Sequence, residues 1–320
     1  MGRKGQHAFF LYTCTRFFMF IFCGRAASLL FTLGVPKISP HQKIQVWDNV
    51  VDAPTCQRLQ EIQSGLSHKL FKRSKKEGKS ELESVLDSVL KELNDTSPYV
   101  EYWCRQEWRH IEAHADVDEF RAKTFSKESF RYPRNGHVLY LEVGPKVHGP
   151  TCLFPDCSSG GCLLSSANGV VTVPAVQGRL LRFDGTLLHA VPRPPDLWLL
   201  PFVQGTMDYE SPEYTRSVVL FNTWDDEPPL QIEEEEEESC SLHPNFVSVK
   251  PRNKWTEKQL LYDSTTTDLL NKKAKIWLLG DEARRNHTLR TIPIFSNENE
   301  IRNALYERNQ PRWTRLSPSS

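Results

Sequence analysis

Short stretches in which apolar and polar residues alternate dominate the middle of the chain, between residues 101 and 226. Alternation with a period of two is typical of strands that bury one face, and turn-forming residues separate the stretches. The pattern therefore predicts a mainly β domain built from short strands. The predicted strands are residues 105–116, 137–143, 150–154, 169–176, 178–183, 186–191 and 216–223.

A helix is predicted just before these strands, in SELESVLDSVLKELND (residues 80–95). Ser80 and Glu83 have the spacing of a capping box, in which each side chain bonds the backbone N–H of the other residue. Apolar residues at helical spacing predict one buried face, which we expect to pack on the outside of the β domain. These residues are Leu82, Val85, Leu86, Val89, Leu90 and Leu93.

Three residues in the predicted strands have the chemistry of a metal site. His114 and Asp116 lie two residues apart, so they share one face if RHIEAHAD ends a strand. His189 follows an Asp184-Gly185 turn between two apolar runs, a pattern that we interpret as a hairpin. Two imidazoles and one carboxylate on one side of a metal ion leave other positions open, which suits non-haem Fe(II) that binds oxygen.

Other polar residues of the same strands have alternative interpretations. Asp118 shares the strand face and is the alternative carboxylate ligand to Asp116. His137 is expected to face solvent, and His110 to pack in the core. Arg179 and Arg182 are expected on the outer face of their strand, with no part in the site.

Arg216 opens the last predicted strand, RSVVLF, on the same face as Val218 and Leu220. A cation at the end of an apolar inward row is costly to bury unless it has a partner. The guanidinium group binds a carboxylate through two parallel hydrogen bonds, so the carboxylate of a bound 2-oxo acid is the expected partner.

The chain resembles the 2-oxoglutarate- and Fe(II)-dependent dioxygenase superfamily, closest to its prolyl 4-hydroxylase-like branch. The resemblance covers about residues 101–226, roughly two-fifths of the chain. The HxD pair alone is common by chance, whereas GRLLRFDGTLLH followed by a basic residue that opens a strand is more specific. The matching segments are HAD (114–116), HVLYLEVGPKVHGPTCLF (137–154), GRLLRFDGTLLHAV (178–191) and RSVVLFNTW (216–224).

The resemblance implies a double-stranded β-helix, or jelly roll, with flanking helices. It implies that His114, Asp116 and His189 bind the iron, that Arg216 anchors 2-oxoglutarate and that Tyr140 hydrogen-bonds this co-substrate. The implied reaction uses O2 to hydroxylate a C–H bond, in a prolyl or another peptidyl side chain, while 2-oxoglutarate is decarboxylated to succinate. Ascorbate is the expected reductant, and the substrate is an unidentified protein or small molecule.

The sequence departs from the prolyl hydroxylase pattern between His189 and Arg216. The basic residue of those enzymes follows the second histidine more closely, so residues 192–214 read as an insertion and as a candidate substrate lid. Arg193 is nearer to His189 in sequence, but it lies among three prolines, where a regular strand is not expected. We therefore prefer Arg216 as the anchor and keep Arg193 as the alternative.

Two other classes of function remain open. A dioxygenase-like protein without activity could serve as a binding or scaffold protein on the same fold. A cupin-type metal enzyme that does not use 2-oxoglutarate is the other alternative. It would usually gather more histidines at the metal and would not need Arg216.

Composition adds limits on partners and location. The chain has 320 residues with 40 basic and 40 acidic side chains, so its net charge gives no indication of nucleic-acid binding. The first acidic residue is Asp48, and the basic, apolar stretch before it predicts a plastid or mitochondrial transit peptide, with a secretory signal as the alternative. The apolar run at residues 17–23 is too short to span a bilayer, so no stable transmembrane span is expected.

These patterns predict five regions. They are a targeting leader (1–40), an N-terminal helical support region (41–100), the dioxygenase domain (101–230), an acidic linker with six consecutive glutamates (231–240) and a C-terminal extension (241–320). The sequence does not indicate a role for the extension.

Overall fold

The computed structural model describes most of the chain after residue 42. The predicted leader, the candidate lid and the six glutamates lie outside the described residues, so these expectations stay predictions. The described residues are 43–62, 68–75, 78–107, 111–124, 130–144, 150–158, 169–191, 215–232, 249–263, 273–276, 290–293 and 310–315. Within them, no helix has the length and apolar character that crossing a membrane requires.

Strands are the main secondary structure of the described chain. The helices are α1 (Ala53–Ile62), α2 (Glu81–Glu92) and α3 (Glu119–Thr124), with a 3-10 turn at Arg252–Lys254. The strands are β1 (Ile44–Asp48), β2 (Lys69–Lys72), β3 (Tyr99–Glu107), β4 (Ile111–His114), β5 (Asn135–Val143), β6 (Thr151–Ser158), β7 (Gly169–Val173), β8 (Leu180–Asp184), β9 (Leu187–Val191), β10 (Thr215–Trp224), β11 (Thr256–Glu257), β12 (Leu261–Asp263), β13 (Lys273–Ile276), β14 (Arg290–Pro293) and β15 (Arg312–Arg315).

The strands form a jelly roll, as the sequence predicted. The seven-stranded sheet has the order β11-β1-β8-β5-β10-β3-β2, and the six-stranded sheet has the order β12-β15-β7-β6-β9-β4. The strands from β3 to β10 supply four neighbouring, antiparallel strands to each sheet. Two antiparallel sheets of four strands each are the defining arrangement of this architecture.

Two apolar layers lie on either side of the seven-stranded sheet. One layer joins residues of both sheets, such as Val138 and Leu153, and therefore fills the interior of the jelly roll. The other joins the opposite face of the seven-stranded sheet to α1 and α2. The predicted apolar face of α2 is buried in this outer layer, and the capping box of Ser80 and Glu83 is present. Helices α1 and α2 thus pack on the outside of the jelly roll.

Two predicted local elements differ from the structure. Residues 105–116 were predicted as one strand, but residues 105–107 end β3 and residues 111–114 form β4, and these two strands lie in different sheets. The Asp184-Gly185 turn joins β8 to β9, which also lie in different sheets, so it is a connection between layers and not a hairpin. Sequence patterns detect strands and turns, whereas the pairing of a strand depends on distant neighbours.

Segments outside residues 101–230 also enter the two sheets. β1 and β2 come from the predicted helical support region, and β11, β12 and β15 come from the C-terminal extension. In this extension, the guanidinium of Arg252 lies over the rings of Trp47 and Trp255, at 4.4 and 5.3 Å from their centroids. The described parts of the extension therefore help to form the jelly roll, and the predicted domain boundaries stay predictions.

The buried Asp87 on α2 should make the stability of the protein depend on pH. Its carboxylate lies 2.8 Å from Arg73, 2.7 Å from Lys79 and 3.0 Å from Lys91. Burial alone would raise its pKa, but hydrogen bonds from these three cations lower it from 3.8 to about 2. A carboxylate whose pKa is lowered by folding stabilises the protein above its unfolded pKa, and this contribution is lost as the pH falls from about 4 to about 2.

We expect Asp87→Asn to lower the free energy of unfolding by about 2 kcal/mol at pH 7. The difference from the wild type should shrink below pH 4, as measured by urea denaturation at several pH values. Glu119→Gln is the matched control, because the Glu119–Lys123 pair on α3 is largely exposed and should contribute almost nothing. An equal effect of the Asp87 substitution at pH 7 and pH 2 would contradict this assignment.

Candidate metal and co-substrate site

The structure brings His114, Asp116 and His189 together at one end of the jelly roll. His114 ends β4 directly opposite His189 on β9, and Asp116 follows two residues after the strand. A candidate ligand atom from each side chain lies within 4.8 Å of the other two. Asp116 Oδ1 is 3.5 Å from His114 Nε2 and 3.8 Å from His189 Nε2. Donor atoms this close together can bind one metal ion.

The hydrogen bonding of His189 leaves its Nε2 atom available to a metal. Its Nδ1 lies 3.2 Å from the carbonyl oxygen of Leu187, so an N–H at this position donates to the backbone. Nε2, which faces Asp116, then carries the lone pair. Metal-binding histidines are usually held in this way, because a hydrogen bond from one ring nitrogen fixes the tautomer and orientation of the ring.

The protonation states of the site also suit metal binding. Burial and, to a lesser extent, the neighbouring His114 lower the pKa of His189 to about 4, while Asp116 opposes the shift. Burial would raise the pKa of Asp116, but the charge interaction with His189 and hydrogen bonds from His114 and Asn222 hold it below its ordinary range. At neutral pH the site therefore presents a carboxylate beside a neutral His189 imidazole.

One side of this cluster is open to small molecules. The side chains of His114 and Asp116 keep 19% and 16% of their surface exposed, whereas His189 keeps 8%. The covered side is apolar, since the ring of Phe183 lies 4.8 Å from that of His189. A metal ion held here would have protein on one side and accessible positions on the other.

Arg216 lies inside the jelly roll with only 2% of its surface exposed. Its Nη2 donates to Thr151 Oγ1 at 3.2 Å, and its guanidinium lies 5.3 Å from the centroid of the Tyr140 ring. Thr151 Oγ1 in turn lies 2.6 Å from the hydroxyl of Tyr140. The structure thus groups the two residues predicted to contact the co-substrate and adds Thr151 to them.

The charge of Arg216 is not neutralised by a carboxylate in the described part of the chain. Burial lowers its pKa, and only Tyr140 opposes this shift. Its Nε is buried without a hydrogen-bond partner among the described residues. Burying a cation in this state is unfavourable, which indicates a site for an anion.

Strand β6 connects the Arg216 group to the metal site. Leu153 on β6 is the direct partner of His189 on β9, and Thr151 lies two residues along the same face of β6. Two residues of a strand span about 7 Å, so the hydroxyl that contacts Arg216 lies one side-chain row away from His189. Arg216 and the His189 side chain therefore line one interior.

The structure tests Asp118, the alternative metal ligand that the sequence left open. Asp118 is not available as a metal ligand, because its carboxylate pairs with Arg131 at 3.0 Å and accepts backbone N–H bonds from Arg121 and Leu230. His110 and Arg193 lie outside the described residues.

The expected positions of two outlying polar residues were wrong. His137 is buried and stacks on the ring of Phe221, rather than facing solvent. Arg179 is fully buried and pairs with Asp48. Arg182 lies on the outer face of β8, as expected, and pairs there with Asp95. Partners on neighbouring strands of the same sheet, which the local pattern does not contain, account for these differences.

Sequence reasoning missed Thr151 and Asn222. Asn222 could have been found, because it continues the inward row of Arg216, Val218 and Leu220, where a polar residue requires a partner. Thr151 shows no such signal, since threonine is an ordinary residue on strand surfaces.

The chain matches no protein-family model and no curated protein sequence. Among solved structures, it is similar to HygX from Streptomyces hygroscopicus with iron bound, at 13% identity and a TM-score of 0.36, over 66% of this chain and 94% of HygX. HygX with nickel and 2-oxoglutarate bound gives 14% identity and a TM-score of 0.37 over the same shares. A Pseudomonas putida prolyl-4-hydroxylase gives 14% identity and a TM-score of 0.35, over 58% of this chain and 88% of that enzyme. At these identities and scores, the function of the chain has to be argued from its own site residues.

Proposed function

We propose that this chain is an Fe(II)- and 2-oxoglutarate-dependent dioxygenase that hydroxylates a C–H bond. The observation that carries this proposal is the combination of two features in one interior. A His-Asp-His cluster has its ligand atoms within 4.8 Å of one another, and a buried arginine without a carboxylate partner in the described residues lies one side-chain row away.

The donor set fits iron of this kind. Two imidazole nitrogens and one carboxylate oxygen, with open positions beside them, are the ligands that non-haem Fe(II) oxygenases use. His114, Asp116 and His189 would hold the ion, and Leu187 would keep the His189 ring in its ligating tautomer. When bound, the metal supplies the oxygen chemistry that couples decarboxylation of 2-oxoglutarate to hydroxylation.

The Arg216 group fits the far carboxylate of 2-oxoglutarate. Guanidinium can bind a carboxylate through two parallel hydrogen bonds, and its unpartnered Nε is one of the donors available for this purpose. The hydroxyls of Thr151 and Tyr140 lie beside the guanidinium and can donate to the same anion. A short dicarboxylate anchored here can direct its 2-oxo acid end to the metal, while the walls of the jelly roll exclude water from its middle.

We further propose a prolyl or another peptidyl side chain as the substrate, with O2 as co-substrate and ascorbate as the reductant. The partial exposure of His114 and Asp116 gives a substrate access to one side of the metal.

The burial of Arg216 without a carboxylate partner among the described residues distinguishes this function from the two alternatives. A cupin-type enzyme without 2-oxoglutarate and an inactive scaffold both lack a reason to keep an unneutralised guanidinium inside the fold. Burial of such a group costs stability, so its retention favours an anionic co-substrate.

The proposal is tested by succinate formation from 2-oxoglutarate, using purified protein with Fe(II), ascorbate and O2. We expect succinate to form slowly without substrate and faster when a peptide pool contains the true target. The matched control is the same protein with Zn(II), which binds the same donors but has no redox chemistry. Protein that binds neither a divalent metal nor 2-oxoglutarate would overturn the assignment.

A further inference from the structure

The candidate metal ligand Asp116 lies between two fixed points of the chain. On its N-terminal side, His114 ends β4, where it is held opposite His189. On its C-terminal side, the backbone N–H of Asp118 donates to the carbonyl oxygen of Arg131 at 3.0 Å. One residue separates Asp116 from each of these points, so the position of its carboxylate depends on both.

The carboxylate of Asp118 holds the second of these points in place. Its side chain has no exposed surface. Its Oδ1 accepts a hydrogen bond from the backbone N–H of Arg121 in α3, at 3.0 Å. Its Oδ2 accepts bonds from the backbone N–H of Leu230 at 3.2 Å and from Arg131 Nη2 at 3.0 Å. With both oxygens bonded, Asp118 has little freedom to rotate or to move.

Arg131 joins Asp118 to the segment that follows β10. Its Nη1 donates to the carbonyl oxygen of Glu227 at 2.9 Å, and its Nη2 also donates to the carbonyl oxygen of Pro228. The guanidinium lies 4.9 Å from the centroid of the Trp224 ring, at the end of β10. A guanidinium has five N–H donors in one rigid plane, so it can bond the carboxylate and both carbonyls at once. One side chain therefore ties the segment after Asp116 to the end of another strand.

We infer that Arg131 is a positioning residue for the metal centre, which acts through Asp118 on the segment that carries Asp116. This inference rests on the proposed function of His114, Asp116 and His189 as metal ligands. A segment that is fixed on both sides of its ligand before the metal arrives loses less conformational entropy when the metal binds. Residues that orient a ligand directly typically change metal affinity by about 10- to 100-fold when they are replaced. Because Arg131 acts one contact further out, we expect an effect at the lower end of this range.

The test measures the Ni(II) affinity of the full chain by calorimetry, together with thermal unfolding of the metal-free protein. Arg131→Met keeps an unbranched side chain but removes every donor, and we expect it to weaken Ni(II) binding by about 10-fold. It also lowers stability, because Asp118 is left buried without its cation. The control therefore has to lower stability in the same way at a place remote from the metal ligands.

Arg73→Met is this matched control. Arg73 also pairs with a buried carboxylate, that of Asp87 at 2.8 Å, and it also donates to two carbonyl oxygens, those of Asp95 and Ser97. These partners lie on α2 and just after it, and α2 packs on the outside of the jelly roll. We expect Arg73→Met to lower the melting temperature as Arg131→Met does, but to bind Ni(II) like the wild type.

A second pair of variants keeps the inference testable if Arg131→Met fails to fold. Arg131→Lys keeps a positive charge beside Asp118 but loses the planar fork that bonds the carboxylate and both carbonyls. It should bind Ni(II) more weakly than the wild type, whereas Arg73→Lys should not. Asp118→Asn is a milder change, because it keeps the backbone bond to Arg131 and one acceptor oxygen, and it should retain one bound metal ion.

The outcomes separate this inference from the proposed function. Arg131 variants that bind Ni(II) as tightly as the corresponding Arg73 variants would overturn the positioning role while leaving the metal site intact. A wild-type chain that does not bind Ni(II) would overturn the proposed function and this inference with it.

Discussion

Replacing Asp116 with alanine is expected to abolish tight binding of one divalent metal ion and, with it, succinate formation. The substitution removes the only negatively charged donor from the His-Asp-His cluster and leaves two imidazoles. The loss of affinity should exceed the roughly 100-fold effect that outer residues have on metal sites. Calorimetric titration with Fe(II) under anaerobic conditions, or with Ni(II) in air, measures it directly.

Asp118→Asn is the matched control for this substitution. Asp118 lies two residues away, and its side chain has no exposed surface and pairs with Arg131. Breaking a buried ion pair costs about 3–5 kcal/mol of stability, so we expect a lower melting temperature with one metal still bound per chain. If Asp118→Asn lost the metal while Asp116→Ala kept it, the alternative ligand assignment would be correct.

Replacing Arg216 with leucine is expected to separate co-substrate binding from metal binding. Hydrogen bonds to charged groups contribute about 1.5–3 kcal/mol each, so loss of a two-bond contact should weaken 2-oxoglutarate binding by about 100-fold or more. Metal affinity should stay near the wild-type value, because Arg216 does not contact the three ligands. Titration of 2-oxoglutarate into Ni(II)-loaded protein gives both quantities.

The same substitution should leave the metal-free protein as stable as the wild type, or more stable. Arg216 is buried and its pKa is lowered by burial, so its charge opposes folding when no anion is bound. Arg216→Lys is the matched control, since it keeps the charge but not the planar fork and should recover only part of the 2-oxoglutarate affinity. An Arg216→Leu variant with unchanged 2-oxoglutarate binding would favour a metal enzyme of the cupin type or Arg193 as the anchor.

The substitutions of Asp116 and Arg216 are expected to have different effects because the fold places the metal ligands and the co-substrate anchor in different sheets. The metal ligands come from β4 and β9 of the six-stranded sheet, whereas Arg216 comes from β10 of the seven-stranded sheet. Thr151 on β6 lies between them, in hydrogen-bond contact with Arg216 and in the row next to His189. A co-substrate that spans the two groups would therefore bridge the two sheets.

Periodicity predicted much of the fold because the core is built from alternating faces. On β10, Val218 and Leu220 pack in the interior, while Val219 and Phe221 pack in the outer layer under the helices. The capping box of α2 could also be predicted from the sequence, since it depends on residues only three positions apart. Such features are local, and the pattern of a few neighbouring residues contains them.

Strand pairing could not be predicted from the sequence in the same way. The single predicted strand at residues 105–116 gave two strands in different sheets, and the predicted hairpin at Asp184-Gly185 gave a connection between layers. Gly185 shows the cause at one position, because a side chain there would meet the backbone oxygen of Pro133 at 2.0 Å. This contact involves a residue far away in sequence, and no local signal reports it.

The sequence by itself determined the chemistry of the site: two histidines, one aspartate and one arginine at spacings that strands can bring together. Tertiary structure alone placed His114 opposite His189 and paired Asp118 with Arg131. It also buried Arg216 without a carboxylate partner among the described residues. It also brought Thr151 beside Arg216. The physical reason is that residue type and spacing are local properties, whereas burial, register and ion pairing depend on which distant strands share an interior.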